Sequence, residues 1–288
     1  MSAMETVGKE RAKPRGGAEG AAGPDGEPSW LVEFRAAARS IYEDTPLPHQ
    51  AQHLWRYTNP ELFLPTADPF APSPAEAAAA TGWPETLRSS LDQEEIGGAA
   101  VWSAGRLQRV ELKDDLRRAG VLLLDLNEAA REHPDRVQRV LGRLVGPDHG
   151  KFEALNAAAF RGGVFLHVPR GVQVEKPVHV VQLLGEETLE ASRVVVLIED
   201  GASITLIDEL LGGPASGLQQ LYSVGEVELG AGARMQWVTI QNLSGRTRGH
   251  LTQRARLGRG AAIVPVIAAF GGALVKTDTG PSRTLAMT

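Results

Sequence analysis

Two periodicities divide the chain. Up to about residue 160 the apolar positions recur at helical spacing; beyond it they alternate. "WLVEFRAAARSIY" places Trp30, Phe34, Ala38 and Ile41 on one face of a helix. "PDRVQRVLGRLV" (134–145) carries an apolar stripe of Val137, Val140, Leu141 and Leu144, with Pro134 in its first turn. "GKFEALNAAAF" (150–160) reads as a short helix halted by Gly162 and Gly163. After Gly163 the period drops to two. In "GVFLHVPRGVQVEKPVHVVQLL" the residues Val164, Leu166 and Val168, then Val172 and Val174, alternate with polar or turn residues. "SRVVVLIEDGASITLIDEL" and "VGEVELGAGARMQWVTIQNL" repeat the pattern, and no stretch of this half has helical periodicity.

A bland phrase recurs within the alternating half: "VPRGVQV" (168–174), "IEDGASI" (198–204), "LGAGARM" (229–235) and "LGRGAAI" (257–263). Aligned on Gly171, Gly201, Gly232 and Gly260, the copies are 30, 31 and 28 residues apart. In each, one apolar residue ends a strand three positions before the glycine and another begins a strand three positions after it. Hairpins in a sandwich would come every ~8–12 residues. A fixed interval near 30, with no crossover helices, predicts stacked β coils whose corners are these four glycines. A glycine suits such a corner because successive backbones approach closely there and because it adopts positive φ. The reading is a mainly β protein: a parallel β-helix over 161–288, preceded by a small helical or mixed domain over 30–160. Residues 1–29, rich in Gly, Pro, Ala and charge, are expected to be a disordered tail.

Composition narrows the chemistry. The chain has 288 residues, 42% of them hydrophobic, a net charge of −5 and no cysteine. Without cysteine there is no disulfide, no thiolate metal site and no thiol nucleophile. No basic cluster offers a surface for nucleic acid. The longest apolar run, 261–275, is broken by Pro265, Gly271 and Gly272 and is too short for a bilayer, which needs ~20 residues. A cytoplasmic location is expected. The glycines of "GAGARM" and "GRGAAI" lack the third glycine of a dinucleotide loop, which falls on Met235 and Ile263. The seven histidines, His49, His53, His133, His149, His167, His179 and His250, show no zinc spacing; His167 and His179 are expected as surface or capped strand residues. Glu199, Asp200, Asp208 and Glu209 could serve a β-solenoid carbohydrate-active enzyme. The plainer expectation is a turn residue at Asp200 and solvent-facing carboxylates at Asp208 and Glu209. Residues 161–288 offer only Phe165, Tyr222, Trp237 and Phe270 as groove aromatics. No catalytic residue is assigned.

A longer pattern crosses the boundary between the halves. It runs Phe152, Ala154, Leu155, Asn156; then Gly163, Phe165, Val168, Pro169, Gly171, Val172; then Glu175 and Pro177. With "LWRYTNPELF" (54–63) upstream, it resembles the SufB/SufD family of iron–sulfur cluster assembly proteins over residues 30–280. The resemblance implies a right-handed parallel β-helix and a non-enzymatic scaffold. It implies SufB-like and SufC-like partners, with the iron–sulfur cluster and ATP entering through those partners and no cofactor held by this chain alone. Lacking cysteine, the chain is more similar to SufD than to SufB, which carries cysteines for sulfur transfer and cluster building. The family continues through further coils into a C-terminal helical domain, whereas the sequence ends at "ALVKTDTGPSRTLAMT". That domain is therefore expected to be absent, the β-helix incomplete at its C-terminal end and the partner contacts weakened. A truncated product without a function of its own is the further alternative.

Overall fold

A computed structural model describes residues 26–71, 95–103, 105–185, 189–213 and 215–281. Most of the expected tail, residues 1–25, lies outside the described residues, as do 282–288. Of the remainder, Ser29 already opens a helix and the Glu27 carboxylate meets the Arg35 guanidinium at 2.9 Å.

From Gly162 onward the chain runs as a regular stack. Strands β4 (Gly162–Val168), β6 (Leu189–Ile198), β8 (Gln219–Leu229), β10 (Thr247–Leu257) and β12 (Leu274–Pro281) pair in parallel in one sheet. Strands β5 (Val178–Leu184), β7 (Ser203–Gly212), β9 (Arg234–Leu243) and β11 (Ala262–Gly271) pair in parallel in the other. Each coil contributes one strand to each sheet, making a β-solenoid of two facing sheets. The alternation read from the sequence decides which side chains meet between them. Val168, Ile198 and Leu229 end strands of the first sheet, while Val174, Ile204 and Met235 begin the opposing segments. All are buried in one core with Val196, Leu206, Val227 and Trp237. In the last described coil the cover thins: Leu257, in register with Leu229, is 36% exposed, and Ile267, in register with Thr239 and Asp208, 43%, while Ile263 still packs against the core.

The sheets do not begin at residue 161. Strand β1 (Gly98–Ser103) joins the second sheet parallel to β5, and β2 (Arg106–Leu112) pairs antiparallel to β1. Strand β3 (Leu122–Asp125) closes the edge of the first sheet antiparallel to β4. Both sheets are thus six-stranded and draw three strands from the region expected to be helical or mixed. Short apolar runs such as "GAAVWS" carry no period that separates strand from buried helix.

The five α-helices among the described residues are α1 (Ser29–Asp44), α2 (Asp114–Arg118), α3 (Leu126–Glu132), α4 (Pro134–Val140) and α5 (Lys151–Ala159). The Asp125 carboxylate caps α3 by accepting from the backbone N–H of Asn127 and Glu128. Helix α4 is shorter than its apolar stripe, which continues through a loop whose Leu141 and Leu144 stay buried. Leu31, Val137, Val140, Phe152 and Leu155 pack against Phe165, Val195, Leu197 and Tyr222 on the outer face of the first sheet. Helices, first sheet and second sheet are therefore three successive layers.

The four corner glycines have φ of +73, +69, +67 and +71°. Their N–H groups step up the stack, Gly171 to the Asp200 carbonyl, Gly201 to Ala231 and Gly232 to Arg259, at 2.8–2.9 Å. A Cβ at any of the four would meet nothing within 4 Å. Close approach, one of the two reasons expected for glycine there, does not operate; positive φ alone requires it. Gly163 is the opposite case, since its Cβ would overlap the Arg193 carbonyl oxygen of the next coil. Gly201→Ala should therefore cost about 1–2 kcal/mol, the left-handed backbone penalty, whereas Gly163→Ala should cost clearly more because two strands must separate. Urea denaturation of the two variants distinguishes the cases, and equal losses would contradict this account.

Candidate functional site

The chemistry-bearing side chains fall into three groups, each defined by the layer it occupies. The first lies between the helices and the first sheet. Arg193 on β6 and Glu226 on β8 are fully buried and meet at 2.6 Å. The Arg193 Nε donates to Asn156 Oδ1 on α5, and the Asn156 amide donates to the carbonyls of Ser192 and Tyr222. Glu226 also accepts the backbone N–H groups of Gly142, Leu144 and Val145 in the loop after α4. Burial lowers the Arg193 pKa, and the Glu226 charge works the other way. With its oxygens filled by backbone donors and one guanidinium, this pair has no capacity left for a ligand.

Nearby on the same face, Tyr222 Oη donates to the Phe63 carbonyl and Gln220 Nε2 to that of Leu64. His250 on β10 is enclosed by Trp55, Phe63 and Phe152. Towards the corners, Arg139 reaches from α4 to Glu199 and Glu228, and Arg256 also meets Glu228. His167 lies 3.5 Å from Glu199, with burial and Arg136 holding its pKa below the ordinary histidine value.

The second group lies between the sheets. Ser192 Oγ donates to Gln182 Oε1, Gln253 Nε2 to Thr239 Oγ1, Gln241 Nε2 to Thr277 Oγ1 and Thr247 Oγ1 to Gln219 Oε1. Asp208 points into this layer, and burial pushes its carboxyl up to about 6. Glu190 is also buried, and burial raises it to about 8, with Arg161 opposing.

These positions correct two expectations. Asp208 does not face solvent: it shares its face of β7 with Ile204 and Leu206, both core residues, so the strand period carries it inward. Of the two histidines expected as surface or capped residues, His179 is capped by Glu209 at 2.9 Å, whereas His167, 3% exposed, is a buried residue. Asp200 does act at a corner, accepting from the Ala231 N–H and pairing with Arg170. Thus Glu199, Asp200, Asp208 and Glu209 have four different sets of partners and do not converge on one groove. Among the described residues no group of three or more His, Asp or Glu side chains has the geometry to hold a metal ion.

The third group is a surface. Strands β11 and β12 are the last in their sheets, each paired on one side only among the described residues. On β11 the side chains of Val264, Val266 and Phe270 are 56%, 40% and 60% exposed. A shallow groove of about 310 Å³ beside them is lined by Ser203, Arg234, Gln236 and Val264. Among the described residues no further strand pairs with this apolar edge, and it is the surface best equipped there for protein association. The sequence showed its residues as one apolar run, but its exposure depends on which neighbours each strand has.

The comparisons with known proteins agree with this architecture. Residues 25–180 match the SufBD protein N-terminal region, and residues 181–281 match the SUF system FeS cluster assembly, SufBD core domain. The iron–sulfur cluster assembly protein SufD of Bacillus subtilis is 28% identical over 246 residues, covering 82% of this chain and 54% of that protein. SufB of the same organism is 24% identical over 241 residues, covering 79% and 50%. An iron–sulfur cluster assembly SufBD family protein of Mycobacterium tuberculosis is 26% identical over 197 residues, covering 64% and 23%. The chain thus spans about half the length of the two Bacillus relatives and about a quarter of the mycobacterial one. Two matching regions that together run from residue 25 to 281 include the helical layer and every coil of the stack: the chain belongs to the SufBD family.

Proposed function

We propose that this chain is a SufD-like scaffold in an iron–sulfur cluster assembly complex. It contributes a rigid β surface and no reacting group of its own. The observation that carries the reading is how the polar side chains are used. Arg193, Glu226, Asn156, Asp200 and Glu209 all bond within the protein, while the apolar edge of β11 stays exposed. The absence of cysteine favours the SufD-like role, because a cluster-building subunit of this family relies on thiolates. SufB-like and SufC-like proteins are the partners this reading names, with ATP and the cluster handled on their side. Among the described residues no helix is long and apolar enough to cross a membrane, and the proposal places the chain in the cytoplasm. A carbohydrate-active enzyme is disfavoured because the four carboxylates do not share a groove.

Two outcomes are expected. Anaerobic reconstitution of the purified chain with iron and sulfide should leave no stoichiometric visible chromophore; a stable cluster on this chain alone would overturn the scaffold reading. Co-purification with a SufB-like protein should be weakened by Val266→Asp and Phe270→Asp on β11, with the circular dichroism spectrum unchanged. Undiminished capture would place the partner surface elsewhere.

A further inference from the structure

His250 occupies an enclosure built mainly of aromatic rings. Its ring is parallel to Trp55 (7° between planes, centroids 5.7 Å apart) and lies 4.9 Å from the Phe152 centroid. Phe63 meets it edge-on at 5.8 Å. Trp55 and Phe63 are the residues that the 53–63 segment presents to His250; Phe152 comes from α5. The Glu153 carboxylate of α5 is 4.0 Å from Nδ1, beyond hydrogen-bond reach, and its Oε1 already accepts from Thr252. From β12, Lys276 holds its ammonium 4.9 Å from the centre of the Trp55 ring, and Asp278 is bonded to Arg254. His149, before α5, is bonded to Arg254 as well. Of the charges facing His250, Lys276 is another cation, Asp278 is paired with Arg254, and Glu153 is the one nearby carboxylate that favours a proton on the ring.

We propose that His250 is an acid-operated latch: the neutral imidazole closes the 53–63 segment onto β10, and its protonation releases that segment from the stack. Stacking on Trp55 would favour a cation, but Lys276 already uses that ring. Taking a charged ring out of water costs more than a carboxylate at 4.0 Å returns, so desolvation wins. The histidine is driven down to about 4, first by burial, with Lys276 and His149 adding to the effect and Glu153 and Asp278 opposing it. The sign follows. A group whose folded pKa lies below its unfolded value binds its proton on opening, so the closed state weakens as pH falls from about 6.5 towards 4. Apart from ring packing, the segment is held by the bonds from Tyr222, Gln220 and Arg248 to the carbonyls of Phe63, Leu64 and Leu62. It can therefore open without unravelling a strand ladder.

Hydrogen exchange of the full chain, corrected for the intrinsic pH dependence of amide exchange, tests the latch. Protection of the 53–64 amides should fall about tenfold per pH unit between 6.5 and 4, the slope of one proton taken up on opening. Amides of β6 and β8 should not follow. In His250→Phe, which keeps an aromatic ring in the box, the slope should vanish. Equal slopes in both proteins, or no pH dependence in the unsubstituted chain, would overturn the proposal. If the variant fails to fold, NMR of the unsubstituted chain decides. The His250 ring and the 53–63 amides should titrate at one midpoint well below 6.5, and separate midpoints would refute the latch.

Discussion

The fold turns on a buried ion pair. Arg193 and Glu226 sit on adjacent strands of the first sheet under the helical layer, where an isolated charge would cost several kcal/mol. Each part of the helical region that reaches them does so to satisfy them. The loop after α4 gives Glu226 three backbone donors and offers Arg193 the Val145 carbonyl, and Asn156 on α5 accepts from the Arg193 Nε while bridging the carbonyls of two strands. Removing either charge would leave the other buried and unpaired, so the pair specifies where the helices lie as well as how firmly they are held. This explains a feature the apolar pattern does not. Leu144 and Val145 remain buried although helix α4 has already ended, because their N–H groups are bound to a carboxylate and not to a helix.

Beneath that layer the stack obeys a simpler rule. A parallel coil must turn at the same place each time, and the turn requires φ near +70°, which costs other residues about 1–2 kcal/mol. Four glycines meet the requirement, and each of the first three donates its N–H to a carbonyl of the following coil. Register follows from this. With the corners aligned, Val168, Ile198 and Leu229 stack on one another, and so do Val174, Ile204 and Met235. The core is a set of ladders, so each coil covers the one before it and the last described coil leaves its inward positions open. Order along the stack and the open inward positions of the last described coil have the same cause.

The polar residues between the sheets form a second motif, in which amides and hydroxyls of Gln182, Ser192, Thr239 and Gln253 answer one another across the gap. Asp208 and Glu190 share this interior with raised pKa values. Glu190, raised to about 8, keeps its proton at neutral pH and so can donate as well as accept a hydrogen bond among such groups.

The repeat was legible from residues alone. An interval of 28–31 and a glycine flanked by apolar residues at three positions on either side contain the stack, its corners and its inward faces, because both strand alternation and positive φ are local properties. Local patterning also located α1 and α5. Other features were decided by packing. Strands β1–β3 were hidden because a short apolar run adopts whichever structure its neighbours offer. Asp208 looked like a surface residue, and His167 like a surface or capped one, because side-chain type suggests exposure, whereas burial depends on which strand face is covered. The Arg193–Glu226–Asn156 network and the aromatic box around His250 join residues 33 to almost 200 positions apart. No local signal marks such a meeting: only the docking of the helices on the first sheet brings these groups together, and only there does the loss of water make their pairing decisive.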